Sequence, residues 1–438
     1  RCWAPPGAAA FTVVPESAFL TQKGETRVTS PGPKRTLAAL QRPPGDGRPL
    51  DDVHPSYTLA TVRPDTFEPA VGGMDFLPDG RLVVACWDPE GSVYLVEGAT
   101  GDDPAARKAT LFARGLNEPT GVKVVDGRIY VAQKPELTEL IDDDKDGTCD
   151  RYRTVASGWP SQGNYHEFTF GPEWKDGAFW LCLAVAIGDG GLSSDPQLPD
   201  RGSILRVDPA TGDYAVVARG VRTPNGIGRG PGGDLYVADN QGGWLPASKI
   251  VRIRPDTFHG SKAVRWDPLD RLRDTPPVVW LPQGEIGNSP SQPQLIPDGH
   301  GPYAGQLVFG DVTHGGLKRV FVEEIDGTAQ GAAFRFMQGF EAGINRLVVG
   351  PDGALYAGGI GSTGNWQEDG KGWFGLQRLR FNGTATFDLR AVRARSDGFE
   401  IELTAPLHDA VSPSPADVRV RRWRYVATAD YGGPKLDE

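Results

Sequence analysis

A chain of 438 residues exceeds the size at which a single layered core usually stops growing, so it either divides into domains or grows by repetition around a ring. Its 58 glycines and 38 prolines, 96 residues or 22% of the chain, signal many tight turns without reaching a disordered composition. A net charge of −10 without long charged blocks argues against nucleic acid as the main partner, and no uninterrupted apolar run is long enough to span a bilayer.

The first 50 residues are proline-rich and weakly patterned, which predicts an extended arm lying over the rest of the chain. The start, RCWAPPGAAA, carries no charged-then-apolar leader, as in a mature exported protein that has lost one. Cys2, Cys86, Cys149 and Cys182 form no CxxC pair, so a zinc knuckle and a CxxCH haem attachment are excluded. One or two disulfides and buried free thiols both stay open.

From residue 57 a pattern recurs: a polar or small mouth, an apolar strand, a turn with glycine, a second strand and a third. The six copies begin at GGMDFLPDGRLVVACWD, PTGVKVVDGRIYVAQK, GNYHEFTFGPEWKDGAFW, PNGIGRGPGGDLYVADNQGG, SQPQLIPDGHGPYAGQLVFGDVTHGG and INRLVVGPDGALYAGGIGSTGNW. Equivalent turn positions at Asp79, Asp126, Asp176, Gly233, Gly305 and Asp352 lie 47, 50, 57, 72 and 47 residues apart. Propeller blades repeat at roughly 40–50 residues, so two blades carry insertions. Strand-like alternation predominates over any helical period. The prediction is an all-β fold with a six-bladed β-propeller over 57–383, closed by YTLATVRP as the outer strand of the last blade. Residues 384–438 alternate as strands and predict a small sandwich-like segment. The chain stops at YGGPKLDE without a terminating motif, which predicts a piece of a longer protein.

If the turns of strands one and two share one face, the mouths and the ends of strand two share the other. That face is predicted to collect Asp75, Glu118, His166, Glu167, Arg222, Asn225, Ser291, Gln292, Asn345 and Arg346 from the mouths. From the strand ends it collects Trp87, Asp88, Gln133, Lys134, Asp189, Asp239, Asn240, Gln241, Asp311, His314 and Asn365. Any single Asp or Asn among them has the alternative role of capping a strand end. His166 and Arg222 point further, because imidazole abstracts protons near neutral pH and guanidinium offers a fork to carboxylates or a reduced quinone oxygen.

The stretch IDDDKDGTCDRY spaces Asp142, Asp144, Asp146, Gly147 and Asp150 like the first three-quarters of an EF-hand loop, with Arg153 where the bidentate glutamate would stand. A full EF-hand is excluded. A partial calcium loop and a solvated acidic turn are the alternatives.

The segments HEFTFGP, RTPNG, ADNQGGW, YAGQLVFGDVTHGG, NRLVVGPDGALY and GLQRLRFNG resemble the six-bladed quinoprotein glucose/sorbosone dehydrogenase superfamily. Within it they are most similar to the membrane-bound dehydrogenase domains of planctomycetes and verrucomicrobia, over roughly Tyr57 to Pro406. The resemblance implies hydride transfer from a sugar to pyrroloquinoline quinone (PQQ), with His166 as the general base. It places Arg222 on the quinone, although Thr223 stands where the family's motif has asparagine. Calcium beside the quinone would sit on backbone carbonyls of ADNQGG, where the family's Gly-Pro is not reproduced. Asn225, Asn240 and Gln241 fall in these motifs, and Lys134 and Arg346 join them on charge grounds as candidates for the cofactor carboxylates. It also implies a cytochrome c-type acceptor, in a downstream domain, and a periplasmic or extracellular location, membrane-associated through a part outside this chain. Two other functions stay open: a carbohydrate- or partner-binding propeller without redox chemistry, and a calcium-dependent lactonase using Asp75, Glu118, Asn225 and Asp239.

Overall fold

The computed structural model describes residues 2–3, 10–13, 52–194, 196–264, 273–363, 366–408, 413–414 and 418–437. Six antiparallel blades of four strands follow one another around the ring, and the short strand Thr257–Phe258 adds a parallel fifth to the third blade. Their inner strands are Val71–Phe76, Gly121–Val125, Thr169–Lys175, Pro224–Arg229, Pro290–Leu295 and Gly343–Val349. The predicted turn positions all lie between the inner strand and the second strand of their blade. In the last blade Tyr57–Thr61 pairs antiparallel with Phe374–Phe381, Tyr57 opposite Phe381 and Thr61 opposite Gln377. The ring is therefore closed by a strand from before the first blade, which removes an exposed sheet edge.

Apolar clusters fill the spaces between neighbouring blades. Between the first two, Val83, Ala85 and Val93 meet Val122, Ile129 and Val131; between the third and fourth, Cys182 and Ile204 meet Ile227, Val237 and Val251. Alternate strand residues supply these contacts, so each sheet buries both faces. Around the axis the inner strands approach backbone to backbone. A Cβ on Gly121 would stand 1.1 Å from the Gly171 carbonyl oxygen, and one on Gly228 would stand 1.8 Å from that of Pro293, so only glycine fits at either position.

The flanks depart from expectation. Ala10–Val13, within the predicted arm, is a strand paired with Gly398–Leu403, and Cys2–Trp3 extends the same sheet. The rest of the arm lies outside the described residues. The predicted C-terminal sandwich is instead two sheets in two places. Leu389–Arg395 and Gly398–Leu403 join the N-terminal strands and lie against the fifth blade, where Arg319 donates to the carbonyls of Leu389 and Arg390. Trp423–Tyr425 and Lys435–Asp437 form a second hairpin that returns to the fourth blade, with Tyr425 and Trp280 rings 5.3 Å apart. Each hairpin has its own blade: Leu389–Arg395 lies on the strands Leu317–Ile325 and Thr328–Met337, and Tyr425 lies on Trp280. Cys86, Cys149 and Cys182 are free thiols.

Candidate functional site

The axial channel has three levels. At the end that bears the inner turns, Lys123 lies 3.5 Å from Asp75 and 3.4 Å from Glu173, and Arg229 lies 3.1 Å from Glu173. The repeat pattern predicts Asp75 at the other end. It pairs with Val83 one step from the turn, so its carboxylate faces the next inner strand and accepts from the Val124 amide.

Midway sits Arg346, buried, its guanidinium spread over three blades besides its own. It donates to the carbonyls of Gly72 (2.7 Å), Thr120 (2.8 Å) and Asn345 (2.7 Å) and to the Asn225 side-chain oxygen (2.8 Å). Burial lowers its pKa to about 9. Asn225 completes the plug by donating to Asn345. Both are cofactor candidates by sequence. Their polar atoms instead bind the inner strands to one another.

Above this plug, at the mouth face, a cavity of about 390 Å³ is lined by His166 and Arg222 together with Tyr165, Ile187, Gly190, Gly191, Asn240, Gln283, Asn288, Ser289, Thr313, Trp366 and Tyr431. No carboxylate side chain is among these described residues. The third blade holds His166 by its loop: Asn164 Oδ1 accepts the His166 amide at 3.0 Å, and Glu167 accepts the amides of Gln162 and Asn164 and the Ser161 hydroxyl. His166 is 2% exposed. Its Nδ1 lies 2.7 Å from the Val185 carbonyl, which can only accept, so Nδ1 carries the proton and Nε2 has a lone pair. Nε2 lies 2.9 Å from the Thr223 hydroxyl, which therefore donates to it. Arg222 in turn donates to the Thr223 oxygen at 2.8 Å and to the Gly191 carbonyl at 2.6 Å. Val185 ties the two mouths together, because its amide donates to the Arg222 carbonyl at 3.0 Å.

Burial first, and then the Arg222 charge, push His166 down to about 3, so the imidazole is neutral at physiological pH. Burial also lowers Arg222, against the opposing pull of Tyr431 and Asp239. Aromatic faces complete the wall. Trp366 stacks on Trp87 (6.5 Å, 24°) and its ring lies 6.4 Å from His166, while the Arg222 guanidinium lies 5.3 Å from the Tyr431 ring.

The remaining expected residues divide by role. Asn240 lines the cavity; it donates to Ser289, and its buried Oδ1 lacks a partner among the described residues. Lys134 is ion-paired with Glu118 at 2.6 Å and donates to the Asn164 carbonyl, behind His166 rather than on the wall. Gln241 donates to Pro246 and braces the C-terminal hairpin at Gly432. Asp239 and Asp311 cap mouths: Asp239 accepts the amides of Arg222 and Thr223, and Asp311 those of Asn288, Ser289, Thr313 and His314. His314 bonds Arg335 at 3.2 Å, and burial lowers it to about 4. Asn365 lies outside the described residues. Asp75, Glu118, Asn225 and Asp239, the set a lactonase calcium would need, each spend their side chain on a separate partner.

The acidic stretch folds as a compact loop between Glu136–Ile141 and Arg151–Ser157, at the blade's outer edge. Carboxylate oxygens of Asp142, Asp144 and Asp146 lie within 4.8 Å of one another. Asp150 stands apart from that group: its carboxylate caps the Asp143 amide at 2.7 Å.

Sequence reasoning missed Tyr165, Gln283, Asn288, Ser289, Thr313, Trp366 and Tyr431. Most stand in loops outside the repeat, where no period marks them. Ser289 stands two residues before Ser291, the residue expected there, because the strand-leading loop turns inward under Asp311.

Residues 72–265 match a family described as a domain of unknown function, DUF7133. A search of curated protein sequences finds no match. Among solved structures, one from Thermus thermophilus, provisionally described as an oxidoreductase (glucose dehydrogenase), is 20% identical with a TM-score of 0.55, over 74% of this chain and 100% of that one. PQQ-bound aldose sugar dehydrogenase from Streptomyces coelicolor is 18% identical with a TM-score of 0.53, over 75% and 100%. The PQQ domain of pyranose dehydrogenase from Coprinopsis cinerea is 14% identical with a TM-score of 0.51, over 77% and 99%. What this chain shares with them at such identities is the six-bladed propeller.

Proposed function

We propose that the protein is an exported quinoprotein-type dehydrogenase that oxidises an aldose or sugar aldehyde in the axial pocket and passes the electrons to a cytochrome. One observation carries the reading: a buried, neutral histidine with a fixed tautomer borders a cavity whose only charged wall residue, among the described residues, is an arginine. Support from comparison comes from propellers described as PQQ-bound or PQQ-containing sugar dehydrogenases.

The wall fits an anionic, planar cofactor in its chemistry. It has one guanidinium, several neutral donors, an indole and a phenol face beside the key pair, and no carboxylate among the described lining residues to repel it. Arg222 and Asn240 would hold it, and PQQ, when bound, supplies the hydride acceptor. His166 Nε2 receives the proton of the sugar hydroxyl as its C–H hydride leaves, so the sugar loses two electrons and two hydrogens. For this the Thr223 hydroxyl must turn its proton away from Nε2. A negative group near Arg222 and Lys134 offsets the charges that lower His166 and makes it a stronger base. Trp366 and Tyr165 line the cavity and offer faces to a sugar ring.

A second reading, sugar binding without chemistry, is favoured by one fact: Nε2 already accepts the Thr223 hydroxyl. Incubation with PQQ and calcium, followed by absorbance spectroscopy and dye reduction with a panel of aldoses, decides between them. Retained quinone absorbance with sugar-dependent dye reduction is expected. Sugar binding without quinone retention leaves the binding module.

A further inference from the structure

The cavity is not built by the propeller alone. Tyr431, at the tip of the C-terminal hairpin, is part of its wall. The hairpin is seated on the loop that follows the second strand of blade four. Tyr431 bridges to Gly243, Gly432 donates to the Gly242 carbonyl (3.0 Å), Trp244 donates to that of Thr428 (2.6 Å), and Gly433 donates to that of Pro246 (3.1 Å). An ion pair between Lys435 and Glu285 latches its base.

Glycines make the seat possible. A Cβ on Gly432 (φ +77°) would meet Gln241 at 2.4 Å, and one on Gly242 would meet Arg222 Nε at 2.4 Å. The tip of YGG therefore fits between Gln241 and the loop, and the loop fits closely under Arg222. The Tyr431 ring then lies over the guanidinium at 5.3 Å while staying 44% exposed toward the opening. Trp366 stands on the His166 side and Tyr431 on the Arg222 side of the Thr223 bridge.

We infer that the C-terminal hairpin is a structural part of the binding site, and that Tyr431 is its specificity-determining residue. The phenol covers Arg222, narrows the cavity and gives a monosaccharide ring a face to stack on, excluding longer saccharides. The sugar part of this inference rests on the proposed function; the covering of Arg222 does not.

The test uses wild type, Tyr431→Phe, Tyr431→Ala and Lys435→Ala, with two readouts. In the first, phenylglyoxal modifies the ligand-free proteins and mass spectrometry follows Arg222. Modification is expected about tenfold faster in Tyr431→Ala, faster also in Lys435→Ala, and unchanged in Tyr431→Phe; equal rates in all four overturn the inference. In the second, calorimetry measures binding of glucose, galactose, xylose, maltose and cellobiose. Tyr431→Ala is expected to lose about tenfold in monosaccharide affinity, the size of one aromatic contact, and to admit the disaccharides. An unchanged panel overturns the specificity role. Wild type that binds no sugar, with Arg222 still shielded by Tyr431, refutes the sugar reading and leaves the hairpin as a wall for another ligand. Melting temperatures identify a variant that fails to fold, in which case Tyr431→Leu replaces Tyr431→Ala.

Discussion

The Thr223 hydroxyl lies 2.9 Å from His166 Nε2, although the two residues are 57 positions apart and belong to different blades. In RTPNG the threonine oxygen holds the imidazole on one side and receives the Arg222 guanidinium on the other.

Replacing Thr223 with valine keeps the shape and removes that bridge. It leaves a buried imidazole nitrogen and one guanidinium group without their partner, which costs about 1–3 kcal/mol. Urea unfolding is expected to show this loss for Thr223→Val and little of it for Thr223→Ser. Equal stability of the valine variant and wild type contradicts the bridge.

Acid should destabilise the fold through His166. Its folded pKa of about 3 lies below the ordinary 6.5, so the unfolded chain binds the extra proton between those values. The stability held by the neutral imidazole is fully present above pH 6.5 and is lost as pH falls toward 3. Between pH 7 and pH 5 the loss from this group approaches about 2 kcal/mol. His259, also lowered to about 3 by burial, adds a similar amount. Denaturant curves at the two pH values are expected to show a smaller drop for His166→Gln than for wild type, and an equal drop contradicts the burial argument.

Arg346→Met should unfold the ring before it affects ligand affinity. Three carbonyls and the Asn225 amide oxygen lose their donor together, at a cost of at least about 3 kcal/mol. A variant with wild-type melting temperature but lost PQQ affinity returns Arg346 to the cofactor.

The loop at Asp142, Asp144 and Asp146 is expected to bind calcium, since three carboxylates this close repel one another unless a cation lies between them. Calorimetric titration of chelator-treated protein should give heat and a higher melting temperature, both weakened in Asp144→Asn. No heat and no change across millimolar calcium leave an acidic turn.

The ring was legible because turn chemistry and strand alternation repeat, and repetition multiplies a weak local signal. Closure by Tyr57–Thr61 was legible for the same reason, since a ring needs its edge paired. His166 and Arg222 could be placed together because equivalent mouth positions meet at one face. Charge alone does not identify a ligand contact at Arg346 and Lys134: a cation in a propeller interior satisfies backbone carbonyls or a local glutamate as readily as a ligand. Asp75 misled by its register along the strand, which decides the end of the channel its side chain serves. Tyr431 was invisible because no local pattern states that a C-terminal hairpin returns to the fourth blade.

The rate of sugar oxidation by His166→Gln in PQQ- and calcium-loaded protein tests the central claim most directly. Glutamine keeps the volume and the hydrogen-bonding capacity at the mouth but accepts no proton at neutral pH. The account predicts a loss of roughly 10²–10⁴ in rate with the fold intact, followed by dye reduction across aldoses and sugar aldehydes. A variant as fast as wild type, or a loaded wild type that oxidises no sugar in the panel, contradicts it.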